Sequence, residues 1–175
     1  NNHATWWAAQ VAAYAGFTAD QAARTTAWDW TRNHLIAGQI AANGSFPKEE
    51  ARTRSFSYTI FNFTAFVFLT RMAERDGEDL WTVQSRQAGT LQKSLDYILP
   101  YIKDPGKWTG EQITPMGARE PVFLLLIPDR LIDGSLLSLY AGYRNNRVPE
   151  HLDSTVDPFD LLMNIYSIQL ELVKN

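Results

Sequence analysis

Ser55-Phe56-Ser57-Tyr58-Thr59-Ile60-Phe61-Asn62-Phe63-Thr64-Ala65-Phe66-Val67-Phe68-Leu69-Thr70-Arg71-Met72-Ala73-Glu74-Arg75 is the stretch on which the fold turns. Its middle, from Ile60 to Leu69, is apolar on nearly every position. A short apolar run of this kind reads equally well as a buried strand, and length arbitrates. This run is too long for a strand, and Arg71 to Arg75 carries the helical period onward before Asp76-Gly77 ends it. A helix apolar nearly all round must be covered on more than one side. The segment therefore predicts a central helix, from about Ser55 to Arg75, with other helices packed around it.

The neighbouring sequence supplies those helices. Thr5 to Tyr14 is rich in Ala and Trp and lacks strand alternation, with Gly16 expected to close it. Thr18 and Gln21 form a capping-box pattern that opens a second helix running through Ile40. Asn43-Gly44-Ser45-Phe46-Pro47 reads as a loop. Leu91, Leu95, Ile98 and Leu99 lie at helical spacing in a helix from Thr90 to Ile102, whose last turn Pro100 kinks or ends. Lys103 to Pro115 is a loop containing Trp108. Further helices are expected over Val122 to Ile127, Ser135 to Tyr143 and Phe159 to Val173. Helices in sequence joined by short turns predict an all-α fold of antiparallel hairpins. From periodicity alone, a bundle, a solenoid and part of a toroid remain open.

The 175 residues suffice for one domain with a substantial core. At 45% hydrophobic and 13% aromatic the chain is globular rather than disordered. Its six Trp and nine Phe are explained mainly by helix packing, though some aromatics are suited to lining a sugar groove. There is no Cys, hence no disulfide framework and no thiolate metal site. A net charge of −3 argues against a general nucleic-acid binder, so a polyanion substrate would require a local basic cleft. No run of eighteen apolar residues signals a membrane span. Three scattered His, without His-Glu-x-x-His spacing, offer no zinc site. Asp20, Asp29, Asp129 and Asp133 form no pair of the kind used in glycoside hydrolysis. Asn43-Gly44-Ser45 fits a glycosylation acceptor in a turn, which is consistent with secretion.

Two strings carry chemistry. The first is Asn1-Asn2-His3-Ala4-Thr5-Trp6-Trp7. The second is Glu49-Glu50-Ala51-Arg52-Thr53-Arg54-Ser55-Phe56-Ser57-Tyr58. An amide, an imidazole, a guanidinium and a phenol are the groups needed to remove a proton from carbon beside a carboxylate. Amide and guanidinium donors stabilise the enolate-like charge that develops on the carboxylate. A Tyr serves as base and then acid where neighbouring positive charge favours its phenolate. Taken singly, each residue has a plainer reading. Asn2 suits a helix cap, His3 a surface site, Arg52 and Arg54 partners of Glu49 and Glu50, and Tyr58 a core aromatic.

Taken together, the strings resemble the two signature blocks of the alginate lyase family of polysaccharide lyases. Those blocks read roughly Asn-Asn-His-Gly-Thr-Trp-Tyr and Glu-Leu-x-Arg-Thr-Arg-Ser-x-x-Tyr-Ser, and they sit here at the family's separation. Ala4 replaces the Gly, Trp7 the Tyr, and Ser57-Tyr58-Thr59 the closing positions. The resemblance covers about the first 140 residues and implies an incomplete (α/α) toroid around a deep cleft. In the family the Asn-His block lies near the middle of the domain. The expectation is therefore a single domain over 1–175 that forms the C-terminal half of a larger toroid. A further N-terminal segment or chain would complete the ring.

The resemblance also assigns roles. Tyr58 is the catalytic base and acid, Asn2 and Arg52 or Arg54 bind the substrate carboxylate, and His3 assists. Arg52 matches the first Arg of the Arg-Thr-Arg string and Arg54 the second. Helical spacing puts Arg54, Tyr58 and Asn62 on one face. Arg52 joins them only if it precedes the helix, so both arginines stand, with Arg54 and Asn62 as substrate contacts. Trp108 is a candidate for stacking on a sugar ring. The implied reaction is β-elimination on an anionic uronate polymer, mannuronate-rich alginate or a glucuronan, by a secreted enzyme needing no cofactor and no metal. The alternative expectation is a non-catalytic carbohydrate-binding or assembly module that keeps the fold.

Overall fold

The structure is a computed structural model that describes residues 1–116 and 121–131, together with 136, 138 and 139. The chain divides into two compact units, Asn1–Phe123 and Leu124–Asn175. Among the described residues the structure is helical, and the one extended feature is an isolated antiparallel bridge between Arg54 and Gln112.

The first unit opens with α1, Asn2–Phe17. Its buried positions Thr5, Ala8, Ala9, Ala12 and Ala15 recur at helical spacing and are all small. Small side chains let neighbouring backbones come close. Gly16 lies within the helix rather than closing it, and Thr18 follows as its C-cap. The expected Thr18–Gln21 capping box does not form. The Thr18 hydroxyl donates backward to the Tyr14 carbonyl at 2.9 Å, and Asp20 caps the next helix by accepting from the Ala23 N–H at 3.0 Å. Asp20 wins because Ala19 takes a left-handed conformation (φ 55°), which places Asp20 at the helix entrance.

Helix α2, Gln21–Trp30, continues through a π-helical stretch, Thr31–Ile36, into the short α3, Ala37–Gln39. After the 40–46 loop comes α4, Pro47–Glu50, a single turn that periodicity did not signal. Gly44 enables that loop. Its φ is +90°, and any Cβ there would collide with the carbonyl of Lys93. Helix α5, Ser55–Arg75, occupies the bounds read from sequence. Helix α6, Leu91–Lys103, is capped by the Thr90 hydroxyl, which accepts from the Lys93 N–H at 3.1 Å. It buries Leu91, Ser94, Leu95 and Ile98 and keeps Pro100 inside the helix.

Helix α5 is the core. Phe56, Ile60, Phe63, Phe66 and Leu69 are at most 1% exposed. Burial of each such side chain contributes about 1.5–3 kcal/mol. Phe63 meets Phe123, Phe46 and Trp81 edge-on or tilted, with ring centroids 4.9, 6.4 and 6.3 Å apart. Helix α1 packs against both α2 and α5.

Polar contacts give the directions. Gln39, at the end of α3, donates to Thr5 near the start of α1, so the α1 and α2–α3 arms are antiparallel. Asp76, just after α5, binds Arg24 and Trp28 in the first half of the α2–α3 arm, while Asn62 in the first half of α5 donates to Gln39 at the arm's end. The α2–α3 arm is thus antiparallel to α5 as well, which leaves α1 and α5 parallel. The all-α hairpin architecture follows from these pairings.

The segment Val122–Leu125 is a 3₁₀ turn, not the α-helix expected over Val122 to Ile127. Pro121 and Pro128 bracket it too closely for a longer helix. In the second unit a 3₁₀ turn, Asp129–Leu131, follows, and Leu124, Leu126, Ile127 and Leu136 are buried. The helices expected over Ser135 to Tyr143 and Phe159 to Val173 lie outside the described residues, apart from 136, 138 and 139. Among the described residues no helix is long and apolar enough to cross a membrane.

Candidate active site

The two strings meet through Glu49. Its side chain is fully buried, and its carboxylate accepts two hydrogen bonds from one residue. The Asn2 backbone N–H reaches Oε1 at 2.7 Å, and the Asn2 side-chain Nδ2 reaches Oε2 at 2.6 Å. The main-chain carbonyl of Glu49 in turn accepts from the Arg52 N–H at 3.1 Å. One residue of α4 therefore holds the first string by its side chain and the second by its backbone. The sequence offered Glu49 as a partner for the arginines, but its carboxylate is spent on Asn2. A buried carboxylate is costly unless donors surround it, and the start of α1 supplies two.

Arg52 lies before α5, and its guanidinium carbon sits 3.9 Å from the centroid of the Tyr58 ring. This is the placement that the order of the second string allowed only if Arg52 preceded the helix. A guanidinium over an aromatic face is attracted to the ring's negative quadrupole. Both side chains are partly exposed.

The first string approaches the same face. Trp6 packs on Phe61 and Phe68 of α5, with ring centroids 5.0 and 5.7 Å apart. Because α1 and α5 run parallel, stepping back three residues on each from the Trp6–Phe61 contact puts His3 level with Tyr58. His3 is exposed. The structure thus groups Asn2, His3, Arg52 and Tyr58 around the starts of α1 and α5.

Asn2 is the first residue of α1, with Asn1 at the cap position, and it is only 1% exposed. The role that the family resemblance implies for it is contact with a substrate carboxylate. Here one amide hydrogen is committed to Glu49, and the residue anchors the helix start that carries His3.

Arg54 is the cap residue of α5, and its Nη2 lies 3.4 Å from the Ser57 hydroxyl oxygen. Asn62 shares the helix face of Tyr58 but is fully buried. Its Nδ2 donates to Gln39 at 3.0 Å, and Gln39 donates onward to Thr5 at 3.1 Å. Asn62 therefore ties three helices together and faces no solvent in this structure. Trp108 is likewise engaged. Its Nε1 donates to the Ser55 hydroxyl at 2.8 Å, its ring stacks on Phe56 at 4.9 Å, and Tyr101 meets it edge-on at 4.9 Å. Its ring packs in an aromatic cluster with Phe56 of α5 and Tyr97 and Tyr101 of α6.

That cluster contains a further polar pair. Glu50 is half-buried, and burial pushes its carboxyl above the ordinary range, opposed by hydrogen bonds from the Phe46 N–H and the Tyr97 hydroxyl. Burial and the Glu50 charge together push the Tyr97 phenol well above its usual value. Tyr97 stays protonated and donates to Glu50.

Two residues of this region escaped sequence reasoning. Glu49 was visible inside the string, yet nothing local shows which residue it faces. Gln112 had no signal at all. No group of His, Asp or Glu among the described residues could hold a metal ion. His34 is exposed and lies against Trp30, with ring centroids 4.1 Å apart.

Comparisons with known proteins bear on this arrangement. The family model described as alginate lyase matches residues 1–108, which include both strings. A solved structure of an alginate lyase from Bacteroides ovatus superimposes with a TM-score of 0.66 at 26% sequence identity. The match covers 85% of this chain and 40% of that one, so the chain spans less than half the length of that relative. No curated protein matches the chain.

Proposed function

The chain belongs to the alginate lyase family, and from that premise we propose that it takes part in cleaving a uronate polymer by β-elimination. The polymer is mannuronate-rich alginate or a glucuronan. The observation that carries the reading is the Arg52 guanidinium 3.9 Å above the Tyr58 ring, joined through Glu49 to the Asn2–His3 string.

Elimination needs three events at one sugar. The C5 carboxylate must be neutralised, the C5 proton removed, and the C4 oxygen protonated as the glycosidic bond breaks. Tyr58 takes the proton and returns it to the leaving oxygen. In mannuronate and glucuronate both lie on one face of the ring, so one phenol serves both transfers. The oxygen that accepts the proton is a phenolate. It becomes neutral as it takes the C5 proton and negative again as it passes that proton to the leaving oxygen, and the Arg52 cation over the ring is placed to offset that charge. Arg54 and His3 supply donors to the carboxylate, where charge accumulates in the transition state. Asn2 contributes by placement: tied to Glu49, it sets the helix start on which His3 is carried.

The chain supplies the starts of α1 and α5 that carry these residues, and we propose that further helices of the (α/α) ring close the opposite wall of the cleft. Secretion follows as an expectation from the nature of the substrate, which is too large to enter a cell. The test is incubation of the intact protein with polymannuronate, polyguluronate and glucuronan, following the ultraviolet absorbance of the unsaturated uronate. A rise with one polymer supports the proposal. Binding without any rise selects a non-catalytic carbohydrate-binding module, and neither binding nor turnover removes both readings.

A further inference from the structure

Helix α5 begins without a cap of its own. The residue at its cap position, Arg54, makes no side-chain bond to the helix's first amides. The first N–H groups of any helix need acceptors from elsewhere. Here they come from a residue 55 or 56 positions away in sequence. Gln112 Oε1 accepts from the Phe56 N–H at 3.0 Å and lies 3.5 Å from the Ser57 N. Gln112 Nε2 donates to the Ser57 hydroxyl at 2.9 Å and to the Thr114 carbonyl at 2.7 Å. The same Ser57 hydroxyl is the one that faces Arg54 Nη2.

The backbone around Gln112 grips the second string from the other side. The Ser55 N–H donates to the Glu111 carbonyl at 2.9 Å, and the Ile113 N–H donates to the Thr53 carbonyl at 2.9 Å. The Ser55 hydroxyl also donates to the Glu111 carbonyl, at 2.6 Å. The residues between Arg52 and α5 are thereby clamped, and the Tyr58 N–H closes the first helical bond onto the Arg54 carbonyl at 2.9 Å.

We infer that Gln112 is a positioning residue for the elimination site, setting the first turn of α5 and through it Arg54 and Tyr58. This inference rests on the lyase reading given above. Gln112 lies beyond the segment matched by the family model, which ends at residue 108. It touches no reacting group itself. Its side chain carries an acceptor and a donor in one plane, and both are used on the same helical turn. A displacement of that turn shifts Arg54 and Tyr58 together, and small misplacements of positioned groups cost up to about 10²-fold in rate.

The test compares Gln112→Ala and Gln112→Glu in the intact protein, by steady-state turnover of the accepted polymer, by thermal unfolding and by ¹⁵N relaxation at Arg54 Nε. Gln112→Ala is expected to lower kcat about ten-fold or more, to lower Tm and to loosen Arg54 Nε. Gln112→Glu keeps an acceptor for the helix amides and adds a charge that suits a helix N-terminus. It is expected to restore Tm but not kcat. It loses the donor to Ser57, and it sets a carboxylate beside Arg54 that repels an anionic substrate and raises KM.

If Gln112→Glu restores stability and kinetics alike, the role is structural only and the inference is overturned. Wild-type kinetics in Gln112→Ala overturn it too. If the wild-type protein turns over no uronate polymer, the lyase reading fails separately, and the relaxation measurement still decides. Unchanged order at Arg54 Nε in Gln112→Ala then refutes positioning, and loss of order sustains it.

Discussion

Glu49 holds Asn2 at two points, its carboxylate oxygens 2.7 Å from the Asn2 backbone N and 2.6 Å from its side-chain Nδ2. The pair joins residues 47 positions apart and is wholly buried. Removing the carboxylate leaves two buried donors without acceptors, at a cost of about 1–3 kcal/mol for each orphaned group. Glu49→Ala is therefore expected to lower Tm by several degrees and to abolish turnover. Glu49→Gln keeps one acceptor but presents an amide donor to the other, and an intermediate loss is expected in both measurements. Thermal unfolding monitored by circular dichroism, beside the lyase assay, checks the order: wild type highest, Glu49→Gln between, Glu49→Ala lowest. Equal losses in the two variants would show that the second acceptor is not needed.

Tyr58→Phe removes the phenol oxygen and nothing else from a partly exposed side chain. The Arg52 contact is to the ring, which Phe retains. Tm is expected to stay within about a degree or two, as for surface substitutions generally. Turnover is expected to disappear. Wild-type-like rates in this variant would take Tyr58 out of the mechanism.

Arg52 offers a graded test. Arg52→Lys keeps the charge but loses the planar group over the ring, and Arg52→Ala loses both. The ring contact itself is worth about 0.5–1 kcal/mol at a partly exposed site. Stability should thus change little in either variant. The rate is expected to fall for Lys and much further for Ala, because the cation offsets the negative charge that the Tyr58 oxygen carries as the base. Equal rates for Lys and Ala would show that the charge is not used.

The Tyr97–Glu50 pair sets a pH dependence. The Tyr97 phenol is held above the ordinary value of about 10 in the folded protein. Above that pH the unfolded chain releases the proton while the folded chain keeps it, so the folded state binds more protons and stability falls as pH rises. Tyr97→Phe removes this contribution. The Tm of the wild type is expected to drop relative to the variant above about pH 10, and the gap should be constant between about pH 7 and 9. A gap independent of pH across the whole range would show that the phenol titrates alike in both states.

How much was legible varies with the kind of interaction. Helix α5 was read at its observed bounds because burial on nearly every side leaves an apolar run longer than a strand. The Thr90 start of α6 was read because its cap lies within three residues of its target. The capping box at Thr18 was misplaced because one left-handed residue, Ala19, moved the helix entrance to Asp20. The choice between Arg52 and Arg54 stayed open in sequence because both flank the helix start, and a ring contact depends on the path of the chain between them. Asn62 sat at the right spacing for the site, yet spacing names a face and not what covers it.

The sequence by itself determined the helical class, the central helix and the two strings whose side chains suit elimination. These rest on local regularities: period, chain length between breakers and residue chemistry. Only the tertiary structure decided that Glu49 binds Asn2, that Arg52 rather than Arg54 lies over Tyr58, and that Gln112 caps α5. Each of those depends on a hydrogen-bond or ring partner brought near by packing. A donor's choice among distant acceptors is set by where the core places the backbone, and no local pattern records it.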